Sequence, residues 1–179
     1  QMCIRDRISA ARKSKKKIHG ISTQYCDFWC VYLRDPLNSH EIGERCLVAF
    51  GNLSGPVMSP IIYNSHLEIL QSPGYVVIVA EMVHDARIIP ITDQRNPAAE
   101  VHRKWMGDAI GRWEGDTLVV ETKHFNTWHR LRGYGVDNLI VTERFRRSTD
   151  NKLIYGFTVD DPSTFTTQFS GEFPLSRMK

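Results

Sequence analysis

From Cys46 onward, short runs rich in Val, Ile, Thr, Tyr and Phe alternate with Gly, Pro, Asn and Asp, and no stretch of helical period recurs between them. That punctuation constrains the fold more than any other feature of the chain. β-branched and aromatic residues suit a pleated, half-buried surface, and the punctuating residues permit tight reversals. The pattern predicts strands at residues 47–50, 67–71, 75–89, 110–113, 116–125, 139–147, 153–159 and 164–173. Their connections include a loop at 52–60 containing Gly55-Pro56, the turn Ser72-Pro73-Gly74, a hairpin at Glu114-Gly115 and a reversal at 148–152. Residues 92–106 are expected to hold a short helix or a covering segment.

The run 75–89 is the longest. Two-residue alternation puts Val76, Ile78, Ala80, Met82, Ala86 and Ile88 on one face, with Glu81, Asp85 and Arg87 among Tyr75, Val77 and Val79 on the other. Some eight strands joined by local turns predict an all-β fold. An antiparallel up-and-down β-barrel of the calycin or lipocalin-like kind removes exposed edges, and a two-layer β-sandwich is the alternative.

A chain of 179 residues with 41% hydrophobic and 10% aromatic content has enough apolar material for one buried core. Its formal charge of +3 is unevenly spread. Seven of the 23 basic residues but one of the 20 acidic ones precede Ile18, so the remainder carries 16 against 19, a net −3. That remainder has no overall excess of cations to neutralise phosphates, which argues against a nucleic-acid partner. Met2-Cys3-Ile4-Arg5-Asp6 matches the in-frame reading of a common transposon sequencing adapter. Residues 1–17 are therefore read as an adapter scar and basic disordered tail, 18–45 as an irregular N-terminal arm, and 46–175 as the β domain.

No apolar run reaches the roughly 18 residues of a membrane span. The four cysteines form neither a C-x-x-C nor a C-x-x-H pair, and no metal set is assigned to them. The chain lacks a phosphate-binding Gly-Lys-Ser/Thr loop and a G-x-S-x-G elbow, so no cofactor is expected and no serine nucleophile is indicated.

Ionisable residues on otherwise apolar strand faces are the candidates for chemistry, because a charge taken out of water must be paired, neutralised or used. His84 interrupts the 76–88 stripe, Glu143 interrupts Leu139, Val141 and Phe145, and Asp161 ends the face of Leu153, Tyr155, Phe157 and Val159. Sharing one lumen, these three would form an acid-base set in which a carboxylate tunes the imidazole. The structural alternative is a buried histidine bonded to a carboxylate, with Asp161 capping the turn before Pro162. Gly111-Arg112-Trp113-Glu114-Gly115-Asp116 reads either as a ligand-facing loop, with Trp113 stacking and Arg112 holding an anion, or as a tight turn whose Trp plugs one end of a barrel.

The segments Tyr63-Asn64, Glu81-Met82-Val83-His84-Asp85-Ala86-Arg87-Ile88-Ile89-Pro90, Gly111 through Val120, Glu143-Arg144-Phe145 and Phe157-Thr158-Val159-Asp160-Asp161-Pro162 together resemble an uncharacterised bacterial protein family, usually predicted to be exported. The resemblance covers roughly residues 45–175. It implies a fold more than an activity. It also implies a periplasmic or secreted protein whose signal peptide is missing from the front of this chain. Members usually continue into a segment with a Cys-His pair, so the β domain is expected to be truncated at its C-terminus, and a disulfide for Cys46 stays open. They also tend to carry Pro-Trp where Gln168-Phe169 stands.

These readings lead to a binding module in which a small amphipathic molecule enters an apolar lumen edged by Tyr63, Asn64, Arg87, Arg112, Trp113, Tyr155 and Phe157. The alternative is a hydrolase, lyase or isomerase using His84, Glu143 and Asp161 in the same lumen. A domain with a completely filled core is the third reading. The sequence does not fix an oligomeric state.

Overall fold

The computed structural model describes residues 2–6, 55–59, 65–81, 85–127 and 137–178. The expected strand at 47–50 and the arm at 18–45 lie outside them. Nine strands are present: β1 Met2–Asp6, β2 His66–Ser72, β3 Tyr75–Ala80, β4 Ala86–Pro90, β5 Asp108–Glu114, β6 Thr117–Lys123, β7 Ile140–Thr149, β8 Lys152–Asp160 and β9 Phe169–Arg177. Among the described residues there is no α-helix, and the covering segment contributes a single 3-10 turn, Pro97–Ala99.

Two antiparallel sheets form the body. One is β2-β3-β4, and the other is the five-stranded run from β5 to β9, each strand paired with its neighbour in sequence. The all-β, antiparallel expectation is met in this form. β1 lies between β2 and β9 and runs parallel to both, giving the order β4-β3-β2-β1-β9-β8-β7-β6-β5. Residues expected to lie outside the domain thus hold a ladder position. Backbone pairing is indifferent to side chain, so two open strand edges accept any extended segment of suitable reach. The outermost strands, β4 and β5, touch through the single bridge Ile91–Gly111 and the bond from Thr92 N to Gly111 O of 3.0 Å. Gly111 permits this approach, since a Cβ there would stand 3.0 Å from methyl groups of both Ile89 and Ile91.

The predicted continuous strand 75–89 is instead a hairpin. Ala80 N donates to Asp85 O at 2.9 Å, and Glu81 N donates to His66 O at 3.1 Å, so the chain reverses after Ala80. Fifteen extended residues would span about 50 Å, far more than the seven residues of β2 can pair. Reversal gives β4 a partner instead. It also inverts the faces, because Val76 pairs with Ile89 and Ile78 with Arg87. Arg87 and Ile89 therefore face the core at 4% and 0% exposure, while Ile88, predicted to be inside, is 64% exposed.

Elsewhere the turn chemistry acts as expected. Pro73-Gly74 joins β2 to β3 with Gly74 at φ 78°, the left-handed position that follows proline in a type II reversal. The two long hairpins form at 114–117 and 149–152. The final strand starts later than predicted, at Phe169, because Asp161 organises a turn in which Thr164 N and Phe165 N both donate to its carbonyl, at 3.0 and 2.9 Å.

The inward faces of the two sheets meet. Leu67, Val76, Ile78 and Ile89 pack with Leu118, Val120, Val141, Phe145, Tyr155, Val159 and Leu175 in one cluster. The segment Gly55 to Met58 is buried with them. Arg95 fastens the covering segment to β5 and β6, reaching Asp108 Oδ2 at 3.0 Å and Glu121 Oε1 at 3.2 Å. Burial pushes the Glu121 carboxyl up, but Lys123 and Arg95 outweigh it and hold it below the usual range.

Candidate functional site

The space between the sheets has two different halves. The deeper half is filled by a polar network that begins with the inverted parity of β4. Arg87, pointing inward, forms a two-pronged pair with Glu143 of β7: Nη1 donates to Oε1 at 3.0 Å, and Nη2 donates to Oε2. Nη2 also lies 3.5 Å from Thr122 Oγ1 on β6. From β8, the Tyr155 hydroxyl donates to Glu143 Oε1 at 2.8 Å and accepts the Met58 backbone N–H at 3.1 Å. Glu143, Tyr155 and Thr122 are all 0% exposed. Five segments, β4, β6, β7, β8 and residues 55–59, are tied together at one place.

The electrostatics follow from enclosure. Burial works against the Arg87 charge but is outweighed by the charge and hydrogen bonding of Glu143, so its pKa is raised. Burial, followed by the neighbouring Glu143 charge, pushes the Tyr155 phenol well above its usual range. Arg87 Nε is buried with no hydrogen-bond partner among the described residues. Both oxygens of Glu143 are engaged within the network, which gives them the character of an anchor and presents neither to a cavity.

The shallower half is open. A cavity of about 350 Å³ lies between the sheets toward the β2–β3 and β7–β8 turns. Ile69, Val76 and Ile78 form one wall, and Leu118, Phe145, Leu153 and Leu175 form the other. Trp113 lines it and is 46% exposed. The mouth carries Asp116, Arg147, Asp150, Lys152 and Arg177. Phe145 belongs to both halves, lining the cavity while its ring stands 5.1 Å from that of Tyr155. A second hollow, of about 580 Å³, lies over Thr142, Arg144, Gly156, Thr158 and Glu172 on the opposite side of β7 to β9.

The residues singled out from sequence are distributed as follows. His84, Tyr63 and Asn64 lie outside the described residues. Glu143 is in the network and Asp161 is not. Asp161 is 1% exposed, but its carboxylate accepts from Ser163 N at 3.0 Å, from Ser163 Oγ and from Thr164 Oγ1 at 3.1 Å, which is the turn-capping arrangement. No hydrogen bond or ion pair joins it to Glu143. Arg87 and Tyr155, expected to edge a lumen, are buried partners of Glu143. Arg112 is on the surface with Glu114, at 2.8 Å, and Arg144 holds the other oxygen of Glu114 at 2.9 Å. Hydrogen bonds from Arg144 and then Arg112 keep that carboxyl below the usual range. Phe157 is half-buried and packs its ring on Gly171, whose hypothetical Cβ would meet it at 2.6 Å. Of the described candidates, Trp113 alone lines the 350 Å³ cavity.

Sequence reasoning missed Arg147 and Arg177. The available signal was alternation, since Arg147 continues the inward series Val141, Glu143, Phe145. Among the described residues no group of three or more His, Cys, Asp or Glu is placed to hold a metal ion, and no helix is long and apolar enough to cross a membrane. No family model, curated protein or solved structure matches the chain.

Proposed function

We propose that this domain is a small-molecule binding module whose two sheets act as a barrel-like container for an amphipathic ligand. One observation carries the reading: an apolar cavity of about 350 Å³ persists between sheets whose other half is tightly filled. Pockets for small ligands span roughly 300–1,000 Å³ and pair apolar walls with a few polar fixtures at one end. A merely structural domain has no use for an apolar hollow that leaves Ile69 and Leu153 only partly buried. The Arg87–Glu143–Tyr155 network supports the container without touching its contents, because it fixes β4, β7, β8 and the 55–59 segment in one arrangement.

Filling the cavity tests the proposal. Isothermal titration with dodecanol, below its solubility limit, is expected to show saturable binding to the native chain and none to Ile69→Trp, with both proteins melting cooperatively. Equal binding by the filled variant, or none by the native chain, would overturn it.

A further inference from the structure

Across the larger sheet one row of paired residues runs Trp113, Leu118, Phe145, Tyr155 and Phe173, one from each strand from β5 to β9. Directly paired side chains on neighbouring strands share a face. Here that face is the interior. From Phe145 onward the rings cover one another, with centroids 5.1 Å apart for Phe145 and Tyr155 and again for Tyr155 and Phe173. Trp113, at the start of the row, has no such cover. It lines the cavity yet is 46% exposed. Among the described residues its ring contacts no other ring, and its indole N–H donates to no acceptor.

The backbone accounts for the unfinished row. Two residues before Trp113 the seam between β4 and β5 is shut, because Gly111 lets Ile89 and Ile91 close on it. β4 ends at Pro90, so among the described residues no strand of the smaller sheet pairs with β5 beyond that bridge. Trp113 is the next inward residue after the seam. Leu118 stands between Trp113 and Phe145 in the row, and all three line the cavity. Neighbouring strands lie about 4.8 Å apart, which puts Trp113 and Phe145 about 10 Å from each other. A ring lying over Leu118 would stand about 5 Å from each, inside the range of roughly 4.5–7 Å at which aromatic pairs attract beyond the area they bury. A saturated chain in the same place gains the area alone.

Building on the binding role proposed above, we infer that the ligand carries a flat unsaturated ring that lies on Leu118 between Trp113 and Phe145, completing the aromatic row, and that Trp113 is the residue that selects it. The polar end of the ligand lies beside Trp113, where the indole N–H is a donor and water is within reach. The ring is covered on one side by the sheet and on the other by the wall of Ile69, Val76 and Ile78.

Three alcohols of twelve carbons separate a ring contact from apolar filling: naphthylethanol, its fully saturated counterpart decahydronaphthylethanol, and dodecanol, each titrated calorimetrically into the full chain. Trp113→Leu is expected to weaken naphthylethanol about fivefold, the worth of one stacked pair, and the two saturated alcohols less than about twofold. Trp113→Phe should keep most of the naphthylethanol affinity. A second readout uses the native chain alone. The indole N–H resonance that disappears in Trp113→Phe should shift on saturation with naphthylethanol and far less with decahydronaphthylethanol, because only the unsaturated ring carries a ring current. Equal losses of the naphthyl and decahydronaphthyl alcohols in Trp113→Leu, or an indole resonance that moves equally with both, would overturn the ring assignment while the container stands. Failure of all three alcohols to bind would remove both.

Discussion

Replacing Arg87 by methionine is the sharpest perturbation of the buried network, because methionine keeps much of the apolar stem and removes only the guanidinium. Glu143, 0% exposed, then loses both prongs of its ion pair and retains one donor, the Tyr155 hydroxyl. Breaking a buried pair from one side costs about 3–5 kcal/mol, since the remaining charge is desolvated without compensation. Against a typical domain stability of about 5–15 kcal/mol, that is a large fraction. Urea unfolding at neutral pH, followed by far-UV circular dichroism, should show the midpoint falling at unchanged slope. Arg87→Met/Glu143→Leu removes both charges and should recover all but about 1–2 kcal/mol, making the two changes strongly non-additive. A single substitution costing less than about 1 kcal/mol, or a double costing the sum of the singles, would refute the claim that this pair pins the sheets together.

Three other outcomes follow from the same geometry. Tyr155→Phe strips a donor from Glu143 and an acceptor from Met58 N, and should cost about 2 kcal/mol in urea unfolding. Because the Tyr155 phenol is pushed up in the folded state, the stability it contributes is complete below its unfolded value of about 10 and is lost as pH rises through the folded one; unfolding midpoints above pH 10 should fall more steeply for the native chain than for Tyr155→Phe. Gly111→Ala places a methyl group against Ile89 and Ile91 and should cost about 1–3 kcal/mol, measured the same way, by forcing β4 and β5 apart.

The strand pattern was largely legible, because the turns that matter are local. Gly74 and Gly115 both adopt positive φ, at 78° and 58°, at hairpins whose sequences announce them. The turn between β3 and β4 was not legible, since Glu81 to Asp85 contains neither glycine nor proline. Only a change of parity betrayed it: the inward series is even-numbered through Val76, Ile78 and Ala80, and odd-numbered at Arg87 and Ile89. That miss hid the partner of Glu143. Glu143 itself stood out as a charge on an apolar face, and its burial follows from that position. Asp161 stood out for the same reason yet caps its own turn, because a carboxylate can be satisfied by nearby hydroxyls and N–H groups as well as by a distant cation. An apolar lumen was expected, with Trp113 at its edge, but which part of the interior is open was not legible. It depends on how far apart the two sheets stand at one end, which no local pattern encodes.

The central claim is that the interior is divided into a closed, network-filled half and an open half that takes ligand. Methyl-resolved NMR of the isoleucine, leucine and valine side chains during titration with dodecanoate tests it most directly. Saturable shifts at Ile69, Ile78, Leu118 and Leu175, with Val141 and Val159 unmoved, are the expected result. Shifts concentrated at Val141 and Val159, or spread uniformly over the core, would contradict it.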